Sequence, residues 1–384
     1  MLNHRKVICG ATLALAHLGA LAPAGATITD APPPAKPTKV TIATVATGLE
    51  HPCGMQFLPD GRLLVTERPG RLRLVTKDGK LSEPIAGVPK VAAVGQGGLL
   101  DVLLATDFAK SGTIYFSYGE PRDGDKNSTS VARAKLVFDG DSGHLEDVKV
   151  IFQQQPAIDS GYHFGSRLVW ARDGTLFITT GERNTMRQEA QNPANDIGKI
   201  IRINADGTIP DDNPKREGWA PEVWSIGHRN IQGAALRPDN GKLYTVEHGA
   251  RGGDEFNQPE KGKNYGWPII TYGIDYSGAK IGEGISAKEG MEQADYYWVP
   301  SIATSGLAFY EGDLFPEWKG NAFVGGLAGM HVERLVLDGE DVVSAELLLE
   351  DEGKRIRDVR SGPDGALWVL TDDTGEVLRV VPGK

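Results

Sequence analysis

Arg172-Asp173-Gly174-Thr175-Leu176-Phe177-Ile178-Thr179 reads as a turn followed by a short strand: Asp-Gly reverses the chain, and the residues after it are apolar and β-branched over strand length. The same signature returns at Pro59-Asp60-Gly61-Arg62-Leu63-Leu64-Val65-Thr66, at Pro238-Asp239-Asn240-Gly241-Lys242-Leu243-Tyr244 and at Pro363-Asp364-Gly365-Ala366-Leu367-Trp368-Val369. Weaker copies run from Thr106-Asp107-Phe108-Ala109 into Thr113-Ile114-Tyr115-Phe116, and from Phe315-Pro316-Glu317-Trp318 into Asn321-Ala322-Phe323-Val324. Second strands with period-two alternation follow, among them Gly70–Val75, Ala132–Val137, Gly198–Ile203, Val332–Leu337 and Glu376–Val380. Six copies of one unit predict an all-β six-bladed β-propeller with four-stranded antiparallel blades. Such a ring needs its last blade closed, and the strand near Lys39 to Val45 is placed to do it. A β-sandwich or several small β-domains would be the competing arrangement, but neither has reason to repeat one turn motif around the chain. No helical heptads and no second domain are legible, so residues 39–384 are expected to form a single domain.

Outside the repeats, the first residues carry a basic start (His4, Arg5, Lys6), an apolar run from Val7 to Ala22 and the small residues Ala24-Gly25-Ala26. That is the pattern of an export signal over residues 1–26, too short for a membrane span. A Pro-rich stretch, 27–38, follows as an extended linker. Of two cysteines, Cys9 lies in the signal and Cys53 alone would survive processing, so no internal disulfide is expected. Export without a disulfide fits a periplasmic protein. The formal net charge of −10 excludes a nucleic-acid footprint, and no other apolar run is long enough for a membrane span. The 49 glycines and 23 prolines suit many short strands joined by tight turns.

Propellers bind ligands where loops from successive blades converge, so polar motifs outside the strand repeats mark the working end. Four clusters qualify: Gly95-Gln96-Gly97-Gly98-Leu99-Leu100-Asp101; Tyr162-His163-Phe164-Gly165-Ser166-Arg167-Leu168; the region from Gly227-His228-Arg229-Asn230 through Glu247-His248-Gly249-Ala250-Arg251-Gly252-Gly253-Asp254; and Lys354-Arg355-Ile356-Arg357-Asp358. His163, in a glycine-containing loop, is suited to take a proton near neutral pH, with His228 and His248 as competitors on composition. Arg229-Asn230 sets a planar cation beside an amide, suited to carboxylate or quinone oxygens. Arg355 and Arg357, two apart on an extended segment, point the same way; they would grip a polyanion or form a solvated strand face. Gln96 serves equally as a turn residue or an amide donor. Gly249 and Ala250 could present backbone carbonyls to a hard cation such as calcium, whereas scattered histidines do not suit structural zinc. No Gly-x-Gly-x-x-Gly and no Walker loop appears, which argues against nicotinamide and nucleotide triphosphates.

From Gly48 to Val380 these motifs, with Gly262-Lys263-Asn264-Tyr265-Gly266-Trp267-Pro268 and Arg355-Ile356-Arg357-Asp358-Val359-Arg360, resemble in content and order those of the soluble quinoprotein aldose sugar dehydrogenases, the glucose/sorbosone dehydrogenase family. The resemblance implies pyrroloquinoline quinone (PQQ) and Ca2+ as cofactors, an aldose sugar as substrate and an external electron acceptor, in a monomer or homodimer. It implies His163 as general base and Arg229 as the cation beside the quinone oxygen. Gln96, Asn230, Arg355 and Arg357 then match cofactor contacts, and Gly249 and Ala250 match carbonyl ligands of a calcium. A second calcium, by a looser match, would involve Thr271, Gly273, Asp275 and Glu292; the two acids would serve equally as surface charges. The chain departs from the family pattern at Cys53 (usually tryptophan), Ile231 and Ala250 (usually proline), around Ala328 (a lysine in some relatives) and at Tyr162 (an acid beside the base). Two other readings compete: a calcium-dependent lactonase on the same fold, which has little reason to keep Gln96 with Arg355 and Arg357, and a non-catalytic carbohydrate-binding propeller, which would tolerate loss of His163. Tyr296, Tyr297 and Trp298 would stack on a sugar or pack between blades.

Overall fold

A computed structural model describes residues 29–384; the export signal expected over residues 1–26 lies outside the described residues. Six sheets follow one another around an axis. The first described strand, β1 (Val40–Ala46), joins the last sheet. Blade 1 holds β2 (Pro52–Phe57), β3 (Leu63–Glu67) and β4 (Arg71–Val75). Blade 2 holds β5 (Leu99–Leu104), β6 (Thr113–Pro121), β7 (Asn127–Asp139) and β8 (Ser142–Gln153). Blade 3 holds β9 (Gly165–Trp170), β10 (Thr175–Thr180), β11 (Lys199–Asn204) and β12 (Val223–Ile226). Blade 4 holds β13 (Ile231–Leu236), β14 (Leu243–Glu247), β15 (Asp254–Asn257) and β16 (Tyr296–Trp298). Blade 5 holds β17 (Thr304–Phe309), β18 (Ala322–Gly326), β19 (Val332–Asp338) and β20 (Asp341–Leu348). Blade 6 holds β21 (Ile356–Ser361), β22 (Leu367–Thr371) and β23 (Val377–Pro382), with β1 as its fourth strand, antiparallel to β23 from Val40 opposite Pro382 to Ala46 opposite Val377. The ring is therefore closed by the strand expected to close it.

Alternation explains the packing. Successive side chains leave opposite faces of a strand, and in a propeller both faces meet a neighbouring blade. On β17, Leu307 and Phe309 enter the cluster shared with Tyr244 and Phe256 of blade 4, while Ala308 enters the one shared with Ile356 and Val359 of blade 6. Each blade boundary has such a cluster. Each fully buried Leu, Ile, Val or Phe contributes about 1.5–3 kcal/mol of transfer free energy, so the ring is held mainly by these six seams.

Three local departures have physical causes. Blade 1 has three full strands; its outer place is filled by an isolated bridge, Val75 to Leu81, followed by single backbone bonds from Ser82 N to Leu74 O and, past Pro84, from Ile85 N to Leu72 O, both at 2.8 Å. The two weak turn repeats contain helical turns, α1 (Phe108–Ser111) and a 3-10 turn (Pro316–Trp318). These turn Phe108 and Trp318 into the core, the latter fully buried and stacked on Phe315 at 3.6 Å. The Pro-rich stretch, expected as a linker, is docked along blade 5: Pro32 O accepts from Ala345 N at 3.1 Å and Ser344 Oγ at 2.8 Å. Thr38 Oγ1 donates to Glu346 at 3.1 Å and accepts from Trp318 Nε1 at 3.2 Å.

Direction along the strands places the chemistry. The Asp-Gly repeats join first to second strands at one end of the axis. The polar motifs precede the first strands β5, β9, β13 and β21, or follow the second strand β14, and so gather at the other end.

Candidate active site

A cavity of about 320 Å³ opens at the motif end, lined among others by Gln96, Phe164, Gln232, His248, Arg355 and Arg357. It draws residues from all six blades or the loops entering them, including Cys53 and Ala303. A wider cleft of about 550 Å³ lies between Arg172, Trp224 and Lys242 at the turn-repeat end, and none of the motif residues reaches it.

His163 sits just before β9, 6% exposed, with φ of 50°, a conformation that non-glycine residues rarely hold without support. The support is specific. Its backbone N–H donates to Gln96 Oε1 at 2.8 Å, and a Cβ on Gly181 would lie 2.0 Å from the His163 carbonyl, so only glycine lets the end of β10 pass. His163 Nδ1 is 2.7 Å from Glu182 Oε1, a carboxylate fully buried behind it. With the proton on Nδ1 donated to Glu182, Nε2 is left with its lone pair. Burial lowers the imidazole pKa below its ordinary 6.5, the Glu182 hydrogen bond opposes that, and the cations Arg229 and Arg183 reinforce it. The result is a neutral, oriented imidazole at neutral pH.

The competing histidines are committed elsewhere. His228 is fully buried between Glu247 Oε1 (2.9 Å from Nδ1) and Ser225 Oγ (2.9 Å from Nε2), stacked on Tyr265 at 4.9 Å. His248 lines the cavity, but Nε2 donates to Thr304 O at 2.7 Å and burial pushes its pKa down to about 3.

Arg229 is 2% exposed, its N–H on Glu247 Oε2 at 2.6 Å, its Nη1 on His248 O at 3.1 Å and its guanidinium over the Trp267 ring at 5.2 Å. Arg229 Nε and Nη2, Asn230 Nδ2 and Arg357 Nε are buried donors without a hydrogen-bond partner among the described residues. Leaving such donors unpaired costs about 1–3 kcal/mol each, so a ligand rich in acceptor oxygens would be stabilised here. Asn230 uses its Oδ1 to accept from Gly165 N at 3.1 Å and Gln232 Nε2 at 3.2 Å. Arg355 and Arg357 share Asp372, at 3.6 and 3.3 Å, and with Arg68 they give the wall three cations against one carboxylate. PQQ, a quinone bearing carboxylates, fits this set of cations and unpaired donors.

The Gly249 loop is tight: a Cβ on Gly249 would fall 2.3 Å from the Gly252 carbonyl, and Asp254 accepts the Gly249 N–H at 2.8 Å. Asp254 is held as well by Ser301 Oγ at 2.7 Å, so the oxygens the loop offers a cation are backbone carbonyls. Thr271 and Gly273 share one turn, Gly273 N donating to Thr271 Oγ1 at 3.2 Å. Arg187, hydrogen-bonded at 2.8 Å, holds the neighbouring Asp275 carboxyl down at about 2. Glu292 pairs instead with Lys263 at 2.9 Å, so the two acids engage different cations. Among the described residues no three His, Cys, Asp or Glu side chains cluster to hold a metal.

Three residues of the site escaped the sequence reading. Glu182 lies just past β10, after the apolar Leu176-Phe177-Ile178 and the polar Thr179-Thr180-Gly181, where the glycine needed for close approach was the available signal. Arg68 and Asp372 stand in turns between strands, with no motif around them. The aromatic cluster is packing: Tyr296 and Trp298 are buried in the seam between blades 4 and 5, and Tyr297 stacks on Tyr272 at 4.0 Å.

The sequence model of the family described as Glucose / Sorbosone dehydrogenase matches residues 49–379. Aldose sugar dehydrogenase YliI of Escherichia coli (strain K12) is 46% identical over 353 residues, covering 91% of this chain and 94% of that protein. A crystal structure of a glucose dehydrogenase is 50% identical with a TM-score of 0.86, covering 90% of this chain and 100% of that one. The PQQ-bound form of an aldose sugar dehydrogenase from Streptomyces coelicolor is 28% identical with a TM-score of 0.76, over 90% of this chain and 99% of its own.

Proposed function

The chain belongs to the glucose/sorbosone dehydrogenase family, and from that premise we propose that it oxidises aldose sugars at the anomeric carbon to the lactone, as a periplasmic PQQ- and calcium-dependent enzyme. What supports the proposal is the His163–Glu182 pair, 2.7 Å apart, with His163 next in the chain to Phe164 of a cavity whose wall carries Arg68, Arg355 and Arg357. A hydrolase would need the base but not the polyanion grip of Arg355 and Arg357.

PQQ, when bound, supplies the acceptor for the two electrons leaving the sugar C–H bond as hydride. His163 Nε2 removes the proton of the anomeric hydroxyl, and the Glu182 carboxylate stabilises the imidazolium that forms. Arg229 supplies fixed positive charge and two unpaired donors, already desolvated, where negative charge develops. Arg355, Arg357, Gln96 and Asn230 would hold the cofactor, and the Gly249 and Ala250 carbonyls would hold a calcium beside it. A second calcium at Thr271, Gly273, Asp275 and Glu292 would require both acids to exchange their present cations. Electrons would leave to an external acceptor from a monomer or homodimer.

Dye-linked oxidation of a panel of aldoses by the purified protein, with and without PQQ and calcium, tests the proposal. Turnover only with both is the expected result. Silence across the panel with turnover of simple lactones by the calcium-loaded protein would establish the lactonase reading instead.

A further inference from the structure

Below the cavity the axis is plugged by four charged side chains. Arg167 of β9, 5% exposed, reaches Asp101 of β5 at 3.2 Å and Asp358 of β21 at 3.2 Å. Arg360 of β21 lies on the same two carboxylates, 3.4 Å from Asp101 and 3.1 Å from Asp358. The carboxylates also accept backbone N–H groups: Leu168 N on Asp101 at 2.9 Å and Met55 N of β2 on Asp358 at 3.2 Å. Glycines make room, since a Cβ on Gly54 would sit 2.7 Å from Asp101 Oδ1, and one on Gly306 of β17 would sit 2.5 Å from Asp358 Oδ1. Two cations face two anions here, and each carboxylate also accepts a backbone N–H, the pairing that lets buried charge be tolerated.

The two arginines differ in what else they touch. Arg360 Nε donates to Met55 O at 3.1 Å, away from the cavity wall. Arg167 Nε donates to Gln232 O at 2.6 Å and its Nη2 to Arg357 O at 3.4 Å. Gln232 and Arg357 both line the cavity, and Gln232 continues to Asn230 Oδ1 at 3.2 Å and Arg357 Nη1 at 3.4 Å.

We propose that Arg167 is a positioning residue for cofactor binding: one guanidinium, anchored on Asp101 and Asp358, sets the backbone of Gln232 and Arg357 so that the cavity floor is formed before the cofactor arrives. The inference rests on the reading of this cavity as the PQQ site. A lysine at 167 would keep the charge balance yet could not hold both carbonyls from a fixed fork.

The test titrates the native protein, Arg167→Lys and Arg360→Lys with PQQ in the absence of sugar, following absorbance, and records a thermal melt of each. Both variants should melt lower; only Arg167→Lys should bind PQQ more weakly, by about 10- to 100-fold, the range for losing an outer partner of a binding group. Native affinity in Arg167→Lys, or equal loss in both variants, would make Arg167 a stability residue and overturn the proposal. No binding by the native protein would overturn the cavity reading itself. Should Arg167→Lys not be recovered folded, Asp101→Asn, which removes one anchor of the guanidinium, is judged by the same comparison with Arg360→Lys.

Discussion

Opposed influences act on His163, the base proposed above: burial and two nearby arginines favour the neutral ring, and Glu182 restores basicity along one axis. Replacing His163 with alanine should lower kcat by about 10²- to 10⁴-fold with an unchanged circular dichroism spectrum; retained turnover would remove it as the base. The pH profile of kcat/KM should rise to a plateau with a midpoint below 6.5, and Glu182→Gln should move that midpoint lower still. Stability has the same sign. Because the folded pKa values of His163 and His248 are depressed, the unfolded chain takes up protons first, so stability falls as pH drops from 6.5 toward about 3. A melting series over that range should be flatter in His248→Gln than in the native protein. At this scale the sequence singled out His163 and Arg229 as candidates through their glycine-rich frames. It hid Glu182, because a carboxylate that turns inward at the end of an apolar strand looks locally like any strand terminus.

Among the elements, the docked Pro-rich stretch carries the clearest consequence. Thr38 is held from both sides, by Glu346 of β20 and Trp318 of the helical turn below it. Thr38→Val keeps the shape and removes the hydroxyl, leaving Trp318 Nε1 and Glu346 without that partner, so chemical denaturation should show a loss of about 1–3 kcal/mol. No change would mean that the stretch merely lies on the surface. Composition misled here: proline discourages strand pairing, but its carbonyl still accepts, and Pro32 uses it. The same holds for the weak repeats, where helical turns replace Asp-Gly because Phe108 and Trp318 are worth burying. Blade 1, short of a full outer strand, is the counterpart, with one bridge and single backbone bonds in its place.

For the whole molecule the periodic turn motif was enough to recover the ring, because each blade must bury both faces and therefore repeats one pattern. The convergence of distant loops was legible as separation in sequence; the axial ion pairs were not, since no spacing along the chain relates Asp101, Arg167 and Asp358. If calcium is bound as proposed, chelation should lower the melting temperature, by an amount corresponding to about 2.7 kcal/mol for an ion present at a hundred times its dissociation constant. A melt indifferent to chelator would separate calcium from the fold. The pairing of Val40 with Pro382 has a further bearing, on the order of events during synthesis. The first strand among the described residues is completed by the last, so β1 must wait unpaired while five blades form, and so distant a pairing makes closure slow. Arg355 and Arg357 stand on the blade that closes last. The finished cavity is thus a late product of translation, and a nascent chain stalled before β23 would carry a full set of motifs around an unclosed ring.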